Sequence, residues 1–496
     1  MPELPSAQGR SRRKSRNRSP AQKWVGRLEL LGGVLICLLT AATPWLFGTT
    51  EAWSVALMNY GSYAAGAIML AAALLNRLTR LEDPPETSRA DRLAKYAFLA
   101  VNLLLLAFCL VAYFNARATF SIEDRTFDYR EYISWLPTTY DAGLTLDLFF
   151  TLLACFAAFW SGRYWLMRGW DRALNSRSGG ALATALSNHR LVAFLWVICL
   201  NGLLLSAQGI LQRLSGTPEL LWLRMSYAEV SISCFGPFSY RGNAAEFLNL
   251  IWPAALGFWW ALSRERRRTE AAGRLLTDGP EMMLIPAAVV ILAGTIVSAS
   301  RGGVAVGIAL LFAVGVLFAF QRRVSKMTRV SGLILLAAVL GFLTFTGWED
   351  LARRLKEDPI QDMNGRVEIY ENARQIAADF PIYGTGPGSF RSVYHLYRED
   401  ATQVWHGFLH DDWLETRVTF GWVGFALVLL QLALLAAWAA AKGRGPAHYV
   451  TSVCLGLSLA GCLAHAKYDF PLQTYSILYT FVMLAAILTT ISPERR

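Results

Sequence analysis

This 496-residue chain lacks the cysteine patterns of a metal or redox protein: it has 7 cysteines and no Cys-x-x-Cys spacing. Cys37, Cys109, Cys155, Cys199, Cys454 and Cys462 fall inside apolar runs, where a thiol behaves as a small hydrophobe. Only Cys234 lies in an outward connecting segment, so no intramolecular disulfide is expected. Charge is scarce where a transporter would need it: Asp147, Glu246 and Asp469 stand near the ends of apolar runs, and no convincing repeat relates the two halves. A nucleotide loop is missing as well. Gly384-Thr385-Gly386-Pro387-Gly388-Ser389 lacks the Lys-Ser/Thr ending and any preceding strand, and reads as a tight turn. No small-residue cleavage site follows a short apolar core, so the first apolar run is expected to stay in the membrane.

What the chain has in abundance is apolar length. Hydrophobic residues make up 54% and aromatics 12%, more than a soluble protein of this size usually buries. Runs of about 17–25 apolar residues, enough to cross a hydrocarbon core of about 30 Å, recur along it. Twelve are expected, beginning near Leu28, Trp53, Leu93, Leu144, Leu191, Ala244, Met283, Val304, Val330, Val418, Tyr449 and Thr474. The fold class is therefore an all-α polytopic membrane bundle of about 12 transmembrane helices, with a helical loop between spans 9 and 10. With both termini inside, roughly two thirds of the 47 Lys and Arg fall on the cytoplasmic side. Three units are expected: a basic disordered tail over 1–26, a transmembrane bundle over 27–229, and a second membrane domain over 230–492 that includes an outer loop at 347–417. The tail carries Arg10, Arg12, Arg13, Lys14, Arg16 and Arg18, which suits contact with anionic lipid and not with nucleic acid.

The outward loops hold the candidates for chemistry. In the longest, Val367, Tyr370, Ala373, Ala377 and Phe380 recur at helical spacing before Pro381 and the glycines. Arg366 opens that helix, and Arg301 follows Ser298-Ala299-Ser300 at the outer end of the seventh span. Two readings stand for these arginines: anchors that snorkel to lipid headgroups, or a pair of planar forks gripping a diphosphate. His406 and His410 are four residues apart and would share a helix face, with Asp411, Asp412 and Glu415 nearby. A metal site, a surface histidine without a role and a general base are all compatible with that spacing; the Glu of the zinc-protease motif is missing.

Four stretches together resemble the O-antigen ligase and polymerase superfamily of bacterial inner-membrane glycosyltransferases. They are Ser300-Arg301-Gly302-Gly303; Gly365-Arg366 with the Gly-rich loop through Phe390; His410-Asp411-Asp412-Trp413-Leu414 through Gly421-Trp422-Val423-Gly424; and His465 to Asp469-Phe470-Pro471-Leu472-Gln473. A weaker element centres on Asn243. The resemblance covers roughly residues 230–490. Asp411 stands where the family commonly has Asn, and Thr419 where it often has Glu.

The resemblance implies transfer of a glycan from undecaprenyl diphosphate to an acceptor hydroxyl on a lipid, saccharide or protein at the periplasmic face. It implies a metal-independent inverting displacement without cofactor, in the bacterial inner membrane and among membrane lipids. His410 would be the base, and Arg301 and Arg366 would hold the donor diphosphate. His406, Arg417 and Asp469 are second-tier candidates. A transporter or flippase, and a non-catalytic scaffold in cell-surface polysaccharide assembly, are the alternatives.

Overall fold

The computed structural model describes residues 19–79, 89–175, 188–226, 233–270, 279–320, 341, 359–398, 407–441 and 446–491. The chain forms an all-α polytopic bundle. Its helices are α1 (Pro20–Ala42), α2 (Ala52–Leu78), α3 (Arg89–Phe114), α4 (Ala142–Asn175), α5 (His189–Ser215), α6 (Arg241–Glu270), α7 (Leu284–Val297) and α8 (Arg301–Ala319). They continue as α9 (Pro359–Asp379), α10 (Phe390–Val393), α11 (Asp412–Ala441), α12 (Pro446–His465) and α13 (Tyr475–Thr490). The only strands among the described residues form two small antiparallel hairpins, β1 (Ala118–Ser121) with β2 (Thr126–Tyr129) and β3 (Glu219–Leu220) with β4 (Arg224–Met225).

Eight helical stretches among the described residues are long and apolar enough to cross a membrane: α1 to α5, Pro280–Val297 containing α7, α8, and α11. The expected runs near Ala244, Tyr449 and Thr474 coincide with α6, α12 and α13. At 16 residues α13 is about 24 Å long, short of a full hydrocarbon core. The ninth expected run, near Val330, the tail through Arg18 and the 347–358 stretch lie outside the described residues.

Local chemistry explains where helices start. Ser19 and Gln22 form a reciprocal capping box on α1, with Pro20 in the first turn. Asn188 accepts from the N–H groups of Arg190 and Leu191 to start α5, and Gly216, at φ +69°, ends it. Ser300 does the same for α8 through Gly303 N–H at 3.2 Å.

Packing rests on close backbone approach. At Gly257, α6 comes so near α12 that an added Cβ would stand 2.8 Å from Cys454 Cβ, and Thr451 Oγ1 donates to the Gly257 carbonyl at 2.8 Å. Small residues that admit a neighbouring helix, sealed by a hydroxyl, are how helices associate in lipid. A buried carboxylate is neutralised in the same core: Glu29 on α1 receives Arg168 at 2.9 Å and Arg190 at 2.6 Å.

Helices α2, α4, α6, α8, α11 and α13 begin, and α1, α3, α5, α7 and α12 end, at one face of the bundle, where α9 and the following loop sit. The helix α9 packs on α11. Its buried face is Ile369, Ala373, Ile376 and Ala377, whereas Val367 is exposed. The expected stripe holds at Tyr370, Ala373, Ala377 and Phe380, which pack into this core with Ile369 and Ile376 added, and departs from it at Val367.

The Gly-rich loop is a turn, as its composition suggested. Gly384, Gly386 and Gly388 all take positive φ, and the N–H groups of Thr385 and Gly386 donate to the carbonyls of Val418 and Thr419 at 3.0 Å. Those carbonyls face the loop because α11 is kinked at Gly421, φ +63°.

Candidate functional site

His410 does not lie on a helix. It sits two residues before α11 with φ +59°, a left-handed conformation uncommon for residues that carry a β-carbon. His410 is therefore outside the helix on which it was expected: α11 starts only at Asp412, and His406 lies outside the described residues. Asp412 makes the start by bonding across the bundle. Its N–H donates to Ala466 O at 2.8 Å, and its carboxylate accepts from Leu472 N–H at 2.9 Å and Gln473 Nε2 at 3.2 Å. Glu415 closes the preceding loop by accepting from Leu409 N–H at 2.9 Å. Asp411 caps through Leu414 N–H at 3.0 Å and pairs with Lys467. The carboxylates beside His410 thus hold backbone, and only Asp469, from the α12–α13 connection, meets the imidazole.

His410 Nδ1 and Asp469 Oδ1 are 3.1 Å apart. A carboxylate only accepts, so Nδ1 carries the proton toward Asp469. The other Asp469 oxygen accepts from Tyr240 Oη at 2.9 Å. Burial alone would push the Asp469 carboxyl up; the hydrogen bond to His410 and the charges of His465 and His410 outweigh it and hold the group below the usual carboxylate range. Burial and the neighbouring Asp469 raise the Tyr240 phenol, so it stays a donor. Tyr370 Oη, on α9, donates to the His410 carbonyl at 3.0 Å and fixes the strained backbone. Phe470 lies edge-on to His410 with centroids 4.7 Å apart and stacks on Phe408 at 4.3 Å. The His410 side chain keeps 28% of its surface exposed, against 6% for Asp469.

Arg366 joins this cluster. Its Nη1 donates to Tyr468 O at 3.2 Å, and its charge acts on the Tyr240 and Tyr370 phenols. Arg301 is half-buried at the first turn of α8, and the backbone there reaches the same place: a Cβ at Gly302 would stand 2.7 Å from His465 Nε2. Arg241, which opens α6, also bears on Tyr240. Two helices therefore present an N-terminus with an arginine in its first turn, α6 and α8. The partial positive helix end and the guanidinium repel each other, an arrangement suited to an anion between them.

Arg417 is placed differently. Its Nη2 donates to Ala377 O at 3.3 Å and its guanidinium lies 4.2 Å over Trp422, so it ties α11 to α9. Among the described residues no three His, Cys, Asp or Glu side chains converge on a metal position.

A cavity of about 680 Å³ opens beside the cluster, not over His410. Phe408, Phe470, Asn243, Asp412 and Gln473 line its near end, and it runs between α3, α4, α11 and α13 to Phe98, Phe159, Leu435 and Ala485. Along α4 the wall residues Leu144, Leu148, Thr151, Leu152, Cys155 and Phe159 recur on one face, a depth of about 22 Å. The polar side chains converge at His410; the walls of the cavity are mostly apolar.

Sequence reasoning missed Tyr240 and Glu246. Tyr240 carried no signal in one dimension. Glu246 did: a carboxylate in the apolar run of α6 has to find a partner, here His465.

Fold and site together define a polytopic helical membrane protein with an ionisable cluster at one end of its bundle. Residues 286–429 match the family model for O-antigen ligase, a likeness that supports a membrane glycosyl-transfer function in polysaccharide assembly. The matched region contains Arg301, Arg366, His410 and Arg417. No curated protein matches the chain.

Proposed function

We propose that this protein transfers a glycan from undecaprenyl diphosphate to an acceptor hydroxyl at the periplasmic face of the bacterial inner membrane. The observation that carries the reading is the His410–Asp469 contact: Nδ1 is engaged by a buried carboxylate and Nε2 is left to accept a proton. The acceptor O–H gives its proton to Nε2 while its oxygen attacks the donor's anomeric carbon. The bond from that carbon to the diphosphate oxygen breaks in the same displacement, with inversion, and undecaprenyl diphosphate departs. Base and cations are needed together, because positive charge grows on the imidazole as negative charge grows on the leaving group. Arg301 and Arg366 hold the diphosphate, and the positive ends of α6 and α8 add to them. The deep apolar cavity beside Phe408 and Phe470 gives a lipid tail a place near the reacting groups.

The test is reconstitution with purified lipid-linked oligosaccharide and alternative acceptors. His410→Ala should abolish transfer with membrane insertion unchanged; full transfer by that variant removes the base assignment. Substrate uptake by proteoliposomes holding only this protein would point to transport instead.

A further inference from the structure

Two side chains deep in the bundle have no part in the reaction as just described. Glu246 on α6 and His465 at the end of α12 are 0% and 1% exposed, with His465 Nδ1 2.8 Å from Glu246 Oε2. The other imidazole nitrogen, Nε2, has no hydrogen-bond partner; it faces Asp469 Oδ2 at 3.8 Å. His465 thus stands between two carboxylates, on the side of Asp469 away from the Oδ1 that meets His410. A carboxyl on each side of one buried imidazole favours its protonated form, since a cation between them offsets the cost of like charges out of water.

We propose that the Glu246–His465 pair is a positioning element of the catalytic site: it maintains a positive charge behind Asp469 and so sets how strongly Asp469 stabilises the proton taken up by His410. The proposal rests on His410 being the base. The physical argument is competition for one carboxylate. A cation already beside Oδ2 weakens the pull of Asp469 on a protonated His410, so His410 releases its proton more readily and stays available as a base at lower pH. Without the pair, Asp469 would hold the imidazolium too well.

The other groups facing this cluster are fixed by different contacts. Tyr240 donates to Asp469 and is acted on by Arg241 and Arg366. Tyr370 is held on the His410 carbonyl. Asp411 is paired with Lys467, Asp412 and Glu415 accept from backbone N–H groups, and the Cys462 thiol faces Glu246.

The test is the pH dependence of kcat for the full-length protein in proteoliposomes, using purified lipid-linked oligosaccharide and a fixed acceptor, for wild type, His465→Gln and Glu246→Gln. Removing the cation should move the acid limb to higher pH, by about half to one unit for His465→Gln. Glu246→Gln should move it in the same direction by less, because Asp469 still favours a protonated His465. The KM for donor should stay within about twofold, since neither residue touches it. If the pair is only a polar clip between α6 and α12, both variants will unfold at lower temperature and lose rate equally at every pH, and the proposal is overturned. Should His465→Gln fail to fold, the isosteric Glu246→Gln carries the measurement; failure of both to fold also overturns it. Retained transfer by His410→Ala sinks the general-base reading itself, a result that these limb shifts neither mimic nor mask.

Discussion

Gly384 and Gly421 are locked backbone to backbone: a Cβ on Gly384 would stand 2.6 Å from Gly421 N, and a Cβ on Gly421 would stand 2.5 Å from Gly384 N. Both residues have positive φ. The contact seats the Gly-rich loop on the kink of α11, about three helical turns beyond His410. Gly384→Ala or Gly421→Ala should therefore destabilise the His410 end of the bundle by more than about 2 kcal/mol, adding a steric clash to the left-handed penalty. Thermal unfolding in detergent checks this, and an unfolding temperature within a degree of wild type would contradict it.

Asp469 is expected to act through His410. Asp469→Asn presents an amide that no longer fixes the imidazole tautomer, so kcat should fall on the order of 10²–10⁴-fold. Donor affinity, measured by equilibrium binding of the lipid-linked oligosaccharide, should change little. A large loss of binding with kcat preserved would reassign Asp469 to donor recognition.

The same carboxyl has a stability signature. Its folded value is depressed, so its contribution is present above the unfolded aspartate value of about 3.9 and is lost as pH falls through the folded value. The difference in unfolding temperature between wild type and Asp469→Asn should stay constant from about pH 5 to pH 8 and shrink below about pH 4. A difference that instead grew on acidification would reverse the sign assigned here.

Arg301→Lys and Arg366→Lys should each lose most transfer activity, because a point charge cannot reproduce a planar fork. The matching substitution at Arg417 should behave otherwise: it removes the stack on Trp422 and the bond to Ala377, costing stability of about 1 kcal/mol with transfer close to wild type once the protein is folded. Comparing specific activity with unfolding temperature across the three variants separates the two roles.

Much of this architecture is written in short-range patterns. Apolar runs located the described helices because lipid requires each span to satisfy its own backbone. The glycines at 384, 386 and 388 announced a turn through local chemistry alone, whereas the Ser300 cap of α8 is seen only in the fold. The contacts that make the site join distant parts of the chain: Tyr240 to Asp469, Glu246 to His465, Arg366 to Tyr468. Nothing in the spacing of those residues encodes which oxygen meets which nitrogen. Position 410 misled for a physical reason as well. Its helical spacing from His406 and Arg417 suggested one face, but bonds to Ala466, Leu472 and Gln473 start the helix at Asp412 instead.

The left-handed backbone at His410 has a consequence for stability. A chain optimised for stability alone would place glycine or asparagine at φ +59°, where a β-carbon costs about 1–2 kcal/mol. His410→Gly should accordingly lose transfer while part of the stability lost with the Asp469 contact is returned by relief of the backbone, leaving its unfolding temperature closer to the parent than that of His410→Ala.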